Sequence, residues 1–147
     1  MRPDRVVFDT NIWITYFYNG KFEELVEIVE DYEISLYSSE RLCQEITSVL
    51  QRPKLIKKLN HPTERYIAFY RRLSSEIEID ERFDRIKDVK DNYIIDIAYA
   101  AKCSHVITGD PHLLSLKHIG KIQIISLADF KKMLRRWVTT SFLTEQG

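Results

Sequence analysis

The sequence is poor in cysteine, glycine and proline and has no excess of either charge. Its 147 residues include two cysteines, four glycines and four prolines, and Lys plus Arg equal Asp plus Glu at 22 each. With no CxxC pair, Cys43 and Cys103 are expected to be reduced, structural residues. The composition is that of an ordinary globular protein, which makes disorder unexpected away from the ends. The neutral charge gives no evidence of a strongly basic nucleic-acid binder and does not exclude one.

Long apolar runs are missing as well. The opening stretch MRPDRVVFDT places Asp4 and Asp9 around a very short apolar run, so we expect neither a signal peptide nor a membrane span, and a cytoplasmic location. The length is near the commonest size of one domain. Local basic pairs could meet phosphates, although each is also typical of a solvated helix face. These pairs are Lys57-Lys58, Arg71-Arg72, Lys131-Lys132 and Arg135-Arg136.

Short apolar runs alternate with segments of helical periodicity. The runs predict strands at 5–9, 34–37, 77–79, 105–108 and 122–125, and the periodic segments predict helices at 22–31, 39–50, 63–75, 92–102 and 127–137, with a short helical piece between Pro53 and Pro62. Several strands are unbroken apolar runs, typical of strands buried on both faces of a parallel sheet. The sequence therefore predicts an α/β three-layer sandwich around a central, mainly parallel five-stranded sheet.

Two of the apolar strands are followed by an aspartate. Asp9 comes directly after the first strand, and Asp110 follows Gly109 after the fourth. Open α/β sheets bind ligands at the carboxyl ends of their strands, so neighbouring strands would bring both carboxylates into one crevice. Each Asp could instead open a turn or cap the next helix. The repetition of the pattern favours the shared site.

A third acid comes from the predicted helix at 39–50. Glu45 lies three residues from Leu42 and four from Val49, at the edge of the stripe that faces the core. Partial burial of a charge is unfavourable without a cation or a donor, which suggests a ligand role. The alternative is a side chain that reaches solvent or pairs with a base such as Arg41 or Arg52.

The region before the helix at 92–102 offers further acids. Asp91 opens that helix and could serve only as its cap. Asp88 and Asp96 are additional candidates, but Asp96 is five positions beyond Asp91 and does not share its helix face.

Carboxylates gathered in one place repel one another unless a cation neutralises them. Hard oxygen ligands of this kind suit Mg²⁺ or Mn²⁺, which support phosphodiester hydrolysis without a histidine. The four histidines show no ligand spacing and are expected to be surface or packing residues; they are His61, His105, His112 and His118. The sequence has no GxSxG elbow, no Gly-rich phosphate loop and no cysteine with an identifiable partner base.

Together these segments resemble PIN domains. The resemblance is carried by the residues from Val6 to Asn11, by Glu45 with Val49-Leu50 and Arg52-Pro53, by the stretch from Asp88 to Ala98, and by the stretch from Val106 to Leu116. They stand in the order and spacing of that family, from about residue 5 to about residue 130, and the most similar branch is that of toxin-component PIN ribonucleases.

The resemblance implies a Mg²⁺- or Mn²⁺-dependent endoribonuclease, a toxin role opposed by an antitoxin protein, and a homodimer. Carried over by position, the acidic quartet is Asp9, Glu45, Asp91 and Asp110, and Asp96 falls where this branch often has a further acid. Asn11 and Thr108 match small polar residues that would hold Asp9 and Asp110 in place. Residues 1–138 would form the nuclease domain. Residues 139–147 lie beyond the resemblance and would form a tail that either is mobile or binds a partner.

Two other functions stay open. One is a PIN-like protein without catalysis that binds a regulator, because motifs do not report the fine placement that catalysis needs. The other is a phosphatase of the haloacid-dehalogenase type, suggested by the strand that ends in Asp9. Such phosphatases need a second Asp two residues further on, where this chain has Asn11.

Overall fold

A central sheet of six strands, flanked by helices, forms the described part of the chain. The computed structural model describes residues 3–79 and 92–146, with side chains in the second range from 93 to 137. The strands are β1 (Arg5–Phe8), β2 (Ser35–Ser38), β3 (Ser74–Glu76), β4 (His105–Ile107), β5 (His118–Ile119) and β6 (Ile122–Ile125). The helices are α1 (Thr10–Tyr18), α2 (Phe22–Glu30), α3 (Glu40–Leu50), α4 (Pro53–Ile56), α5 (Thr63–Leu73), α6 (Asn92–Ala100), α7 (Pro111–Leu114) and α8 (Leu127–Gln146).

The strand order places β1 at the centre of the sheet. Across the sheet the order is β3-β2-β1-β4-β6-β5, and all neighbours are parallel except β5 and β6. The chain moves outward from β1 to β2 and β3, and then returns to place β4 on the other side of β1. The strand order therefore reverses between β1 and β4, and this is where open α/β sheets form a ligand crevice.

The sheet is stabilised by apolar side chains on both faces. Val6, Val7 and Phe8 of β1 are fully buried, as expected for a central strand covered by helices on both sides. Trp13 of α1 packs edge-on against Tyr70 of α5, with ring centroids 4.8 Å apart. These aromatic contacts fix α1 immediately after the end of β1.

The predicted α/β sandwich with a mainly parallel sheet is confirmed, but two details of its strands were wrong. The sheet has six strands rather than five, because the two residues of β5 form an antiparallel pair with β6 and are too few to show a periodicity. The third strand is Ser74–Glu76 and not residues 77–79. This strand is hydrogen-bonded to β2 and largely exposed, so its sequence does not need the apolar residues on which the prediction relied.

Several helix bounds also differ from the predictions. The helix α1 was not predicted, α5 ends at Leu73 where β3 begins, and α8 continues beyond Trp137 to Gln146. The division into a domain and a tail stays a prediction. Within the described residues, no helix has the length and apolar character needed to cross a membrane.

Both cysteines are buried and free, as the sequence predicted. Burial raises the pKa of the Cys103 thiol to about 12, which keeps this side chain protonated and unreactive near neutral pH. Among the histidines, His105 is buried in β4, where its Nδ1 atom lies 2.8 Å from the Ser104 hydroxyl. The two cysteines and His105 are therefore packing residues of the fold.

Candidate active site

Asp9 is the centre of the candidate site. It directly follows β1 and has only 4% of its surface exposed, which is unusual for a carboxylate. Its Oδ1 atom accepts a hydrogen bond of 2.7 Å from the backbone N–H of Thr10, and its Oδ2 atom accepts one of 2.7 Å from the Thr108 hydroxyl. Both carboxylate oxygens are therefore held by donors from two different strand ends.

Thr108 connects the ends of β1 and β4. Its side chain is fully buried, and while it donates to Asp9 it also accepts a hydrogen bond of 3.0 Å from the backbone N–H of Asp110. The backbone N–H of Asp9 in turn donates to the carbonyl of Ile107, at 2.9 Å. One hydroxyl thus fixes the relative positions of the two aspartates.

Asp110 is half-buried and also serves as the N-cap of α7. Its Oδ1 atom accepts a hydrogen bond of 2.9 Å from the backbone N–H of His112. Asp9 is likewise the N-cap of α1. The capping alternative and the shared-site hypothesis are therefore compatible, since the same carboxylates cap helices and face one crevice.

Glu45 lies within electrostatic range of Asp9. Its charge, like that of Asp110, acts to raise the pKa of Asp9. The expectation that Glu45 would be partly buried was wrong, because its side chain is exposed, whereas Leu42, Ile46 and Val49 on the same helix are buried. The alternative that the Glu45 side chain reaches solvent is therefore what the structure has, together with an electrostatic effect on Asp9.

The other predicted acids differ in how far the structure describes them. Asp91 and Asp88 lie outside the described residues. Asp96 is half-buried on α6, three residues after Tyr93, whose hydroxyl lies 3.3 Å from the Thr10 hydroxyl. Among residues 3–79 and 92–146, no three His, Cys, Asp or Glu side chains are already arranged as a metal-binding group.

Thr10 is the site residue that sequence reasoning missed. Asn11 was expected to hold Asp9, but its side chain is exposed, and its carbonyl accepts a hydrogen bond of 2.8 Å from Thr15 within α1. The donor to Asp9 is the backbone of Thr10. Because every residue type except proline has a backbone N–H, only the recognition of Asp9 as a helix cap could have indicated this contact.

The pKa of Asp9 is raised above its ordinary value of 3.8. Burial is the main cause, and the charges of Asp110 and Glu45 add to it, while the hydrogen bonds from Thr108 and Thr10 act in the opposite direction. The folded state therefore binds this proton more tightly than the unfolded state does. The resulting stabilisation is fully present below pH 3.8 and is lost as the pH rises through the raised pKa.

This linkage predicts that Asp9→Asn stabilises the protein at neutral pH when divalent ions are absent. The amide can still accept from Thr10 but has no charge, so we expect a gain of about 1 kcal/mol, or about 2–4 °C in the midpoint of thermal unfolding. The gain should shrink as both proteins are brought below pH 4. Thermal melts in EDTA across this pH range measure it, and a less stable variant at pH 7 would contradict the assigned pKa shift.

The fold and the paired aspartates belong to a known class of α/β protein with a nuclease-type fold. The family model for the PIN domain matches residues 5–112, well over half of the chain, and includes the positions of all four predicted acids. The chain therefore belongs to the PIN-domain family. No curated protein and no solved structure matches it significantly. PIN domains are generally nucleases and typically use divalent metal ions.

Proposed function

We propose that this protein is a Mg²⁺- or Mn²⁺-dependent endoribonuclease. The observation that carries the proposal is the buried Asp9 carboxylate at the β1–β4 crevice, held by Thr10 and Thr108, with the charges of Asp110 and Glu45 acting on it. A structural carboxylate would gain nothing from two further negative charges nearby. A carboxylate that binds a cation gains from them, because each added negative charge attracts the ion.

The donor chemistry of these residues fits a hard divalent ion. Asp9, Glu45 and Asp110 offer oxygen atoms only, and the charges of Glu45 and Asp110 add to the effect of burial in raising the pKa of Asp9, so a cation placed among them would be favoured. In this proposal they hold the ion together with Asp91, and Asp96 is a further candidate ligand. A bound Mg²⁺ or Mn²⁺ supplies positive charge that activates water and stabilises the leaving oxygen of a phosphodiester.

The chain's own residues provide orientation. The Thr10 N–H and the Thr108 hydroxyl each occupy one lone-pair direction of a different Asp9 oxygen, which fixes the plane of the carboxylate. Thr108 also fixes the backbone that leads to Asp110. Because both acids are fixed before a ligand arrives, little reorganisation is needed when an ion and a phosphate bind.

The toxin role, the antitoxin partner and the dimer are further parts of the proposal, and each needs its own test. A toxin nuclease should arrest growth when it is expressed alone, and the arrest should need Asp9. Mass measurement in solution reports whether two copies associate.

The direct test is cleavage of a panel of structured and unstructured RNAs by the purified protein. We expect cuts within the RNA when Mn²⁺ or Mg²⁺ is present and none when EDTA removes the ion. Asp9→Asn protein purified in the same way controls for contaminating nucleases. Cleavage that persists in EDTA, or is equal in the variant, would refute the proposal.

Calorimetric titration with Mn²⁺ separates this function from the binding alternative. A nuclease should bind the ion through Asp9 and cut RNA. A folded protein that binds no ion would favour the non-catalytic alternative. A trapped aspartyl-phosphate would favour the phosphatase instead.

The contact between Thr108 and Asp9 gives a graded prediction. Thr108→Val keeps the side-chain shape but removes the donor to Asp9 and the acceptor for the Asp110 N–H, so cleavage should fall about 10- to 100-fold. Thr108→Ser keeps the hydroxyl and should retain most of the rate. Initial rates at saturating Mn²⁺ measure both. A valine variant as fast as the parent would show that this contact does not support the site.

A further inference from the structure

An arginine lies beside the candidate site with its charged group stacked on an aromatic ring. The guanidinium carbon of Arg41 is 4.5 Å from the centre of the Tyr93 ring. Arg41 is exposed, whereas Tyr93 is 6% exposed and belongs to the core. The ring thus supports one face of a cation that is open to solvent.

This pair is connected to Asp9 through short contacts. The Tyr93 hydroxyl lies 3.3 Å from the Thr10 hydroxyl, and the backbone N–H of Thr10 donates to Asp9 at 2.7 Å. On α3, Arg41 precedes Glu45 by four residues, so both side chains lie on the same face of the helix. Arg41 is therefore linked to Asp9 through Tyr93 and Thr10, and it shares its helix face with Glu45.

Arg41 lies at a position of α3 where a positive charge lowers the stability of the helix. Arg41 is the second residue of α3, and a cation in the first turn interacts unfavourably with the helix dipole. A polyanion approaching Asp9, Glu45 and Asp110 meets three negative charges, so a nearby cation would favour its binding. A guanidinium stacked on a ring can still donate its in-plane N–H groups, whose geometry matches two phosphate oxygens.

We propose that Arg41, positioned by Tyr93, binds a backbone phosphate of single-stranded RNA next to the candidate active site. The inference rests on the proposed function and adds the residue that holds the substrate's backbone. Arg41 touches substrate in this scheme and Tyr93 acts through it. The contact is to phosphate, so it is independent of RNA sequence.

The test is RNA binding in an Asp9→Asn background, where the probe is not cut. A labelled single-stranded oligonucleotide is titrated by fluorescence anisotropy at several salt concentrations. Loss of one phosphate contact should lower affinity about 10-fold and reduce the slope of log K against log salt by about 0.7. Arg41→Gln should show both changes.

Arg72→Gln is the matched control. Arg72 is also exposed, but it lies near the end of α5 just before β3, at the end of the sheet opposite to the candidate site. Its removal should leave affinity and slope unchanged. Equal slopes for Arg41→Gln and its parent, or no measurable binding by the parent, would overturn the inference.

Variants at Tyr93 separate positioning from folding. Tyr93→Leu should lower the affinity for RNA, because the guanidinium of Arg41 loses the ring on which it stacks. Tyr93→Phe should bind RNA as tightly as the parent, because the ring is kept. If Tyr93→Leu does not fold, Tyr93→Phe still tests the role of the ring. A phenylalanine variant that binds RNA more weakly than the parent would contradict the claim that the ring positions Arg41.

The two proposals can fail separately. If the wild-type protein cleaves RNA but Arg41→Gln leaves the salt slope unchanged, the nuclease proposal stands and the phosphate contact is overturned. If the protein cleaves no RNA but Arg41→Gln changes the slope, the phosphate contact stands and the nuclease proposal is overturned.

Discussion

Asp9→Asn should lower metal-dependent RNA cleavage at least about 1,000-fold, which corresponds to about 4 kcal/mol of transition-state stabilisation. The substitution keeps the size of the side chain and the acceptor for the Thr10 N–H. It removes the negative charge of the most buried candidate acid among the described residues, at a position where the surrounding protein screens charge weakly. Initial rates with Mn²⁺ and one well-cut RNA measure the loss.

The control for this prediction is Asp31→Asn. Asp31 is exposed at the C-cap of α2, just before β2, and therefore lies at the end of the sheet opposite to Asp9. This variant should cleave at the parental rate. If Asp9→Asn is more stable yet inactive, misfolding cannot explain its loss of activity. An Asp9→Asn protein that retains a tenth of the parental rate would show that Asp9 is not a ligand of an essential ion.

Trp13→Ala should destabilise the fold by about 3–5 kcal/mol, the range for removing a large aromatic side chain from a core. The indole is fully buried and contacts Tyr70, Phe8 and Phe17, with ring centroids 4.8, 5.6 and 5.9 Å away. For a chain of this size the midpoint of thermal unfolding should fall by about 8–16 °C. Unfolding followed by circular dichroism measures the change.

Trp13→Phe is the conservative comparison. Among the described residues, the indole Nε1 atom is buried without a hydrogen-bond partner, so phenylalanine removes an unsatisfied donor as well as some volume. We expect a much smaller loss than for alanine. If Trp13→Ala loses no more stability than Trp13→Phe does, the aromatic cluster does not anchor α1.

The buried strands were predictable because burial on both faces requires apolar residues, and these are visible in the sequence. Strands β1, β4 and β6 are central and apolar, and each was placed within one residue of its observed bounds. The strand β3 lies at an edge and is largely exposed, so its residues Ser74–Glu76 have no such pattern. The two residues of β5 are held by pairing with β6, which no local pattern reports.

The helix α1 was missed for a different reason. It is apolar on most sides, with Ile12, Trp13, Tyr16 and Phe17 all buried. Its exposed face is narrow and includes the aromatic Tyr18 beside Asn11 and Thr15, so the sequence shows only a weak helical period. Its tertiary contacts decide its conformation. The signal in the sequence for this helix was the N-cap residue Asp9.

The candidate site was predictable where it depends on topology. Asp9 and Asp110 follow parallel strands, and the ends of neighbouring parallel strands meet at one edge of a sheet. The hydrogen bond from Thr10 to Asp9 is made by the backbone, which any residue type other than proline could supply. The stacking of Arg41 on Tyr93 depends on side-chain geometry between residues far apart in sequence, which spacing does not encode. The metal role of the quartet, including Asp91, stays a prediction.

The two outer strands of the sheet bear on how copies of this protein can associate. Within the described residues, β3 offers three residues and β5 two, and both are mostly exposed. A strand from another molecule would find too few free backbone groups there to add a stable ladder. Such short edge strands disfavour edge-to-edge strand pairing between folded molecules. Any ordered self-assembly is therefore expected to use helical surfaces instead.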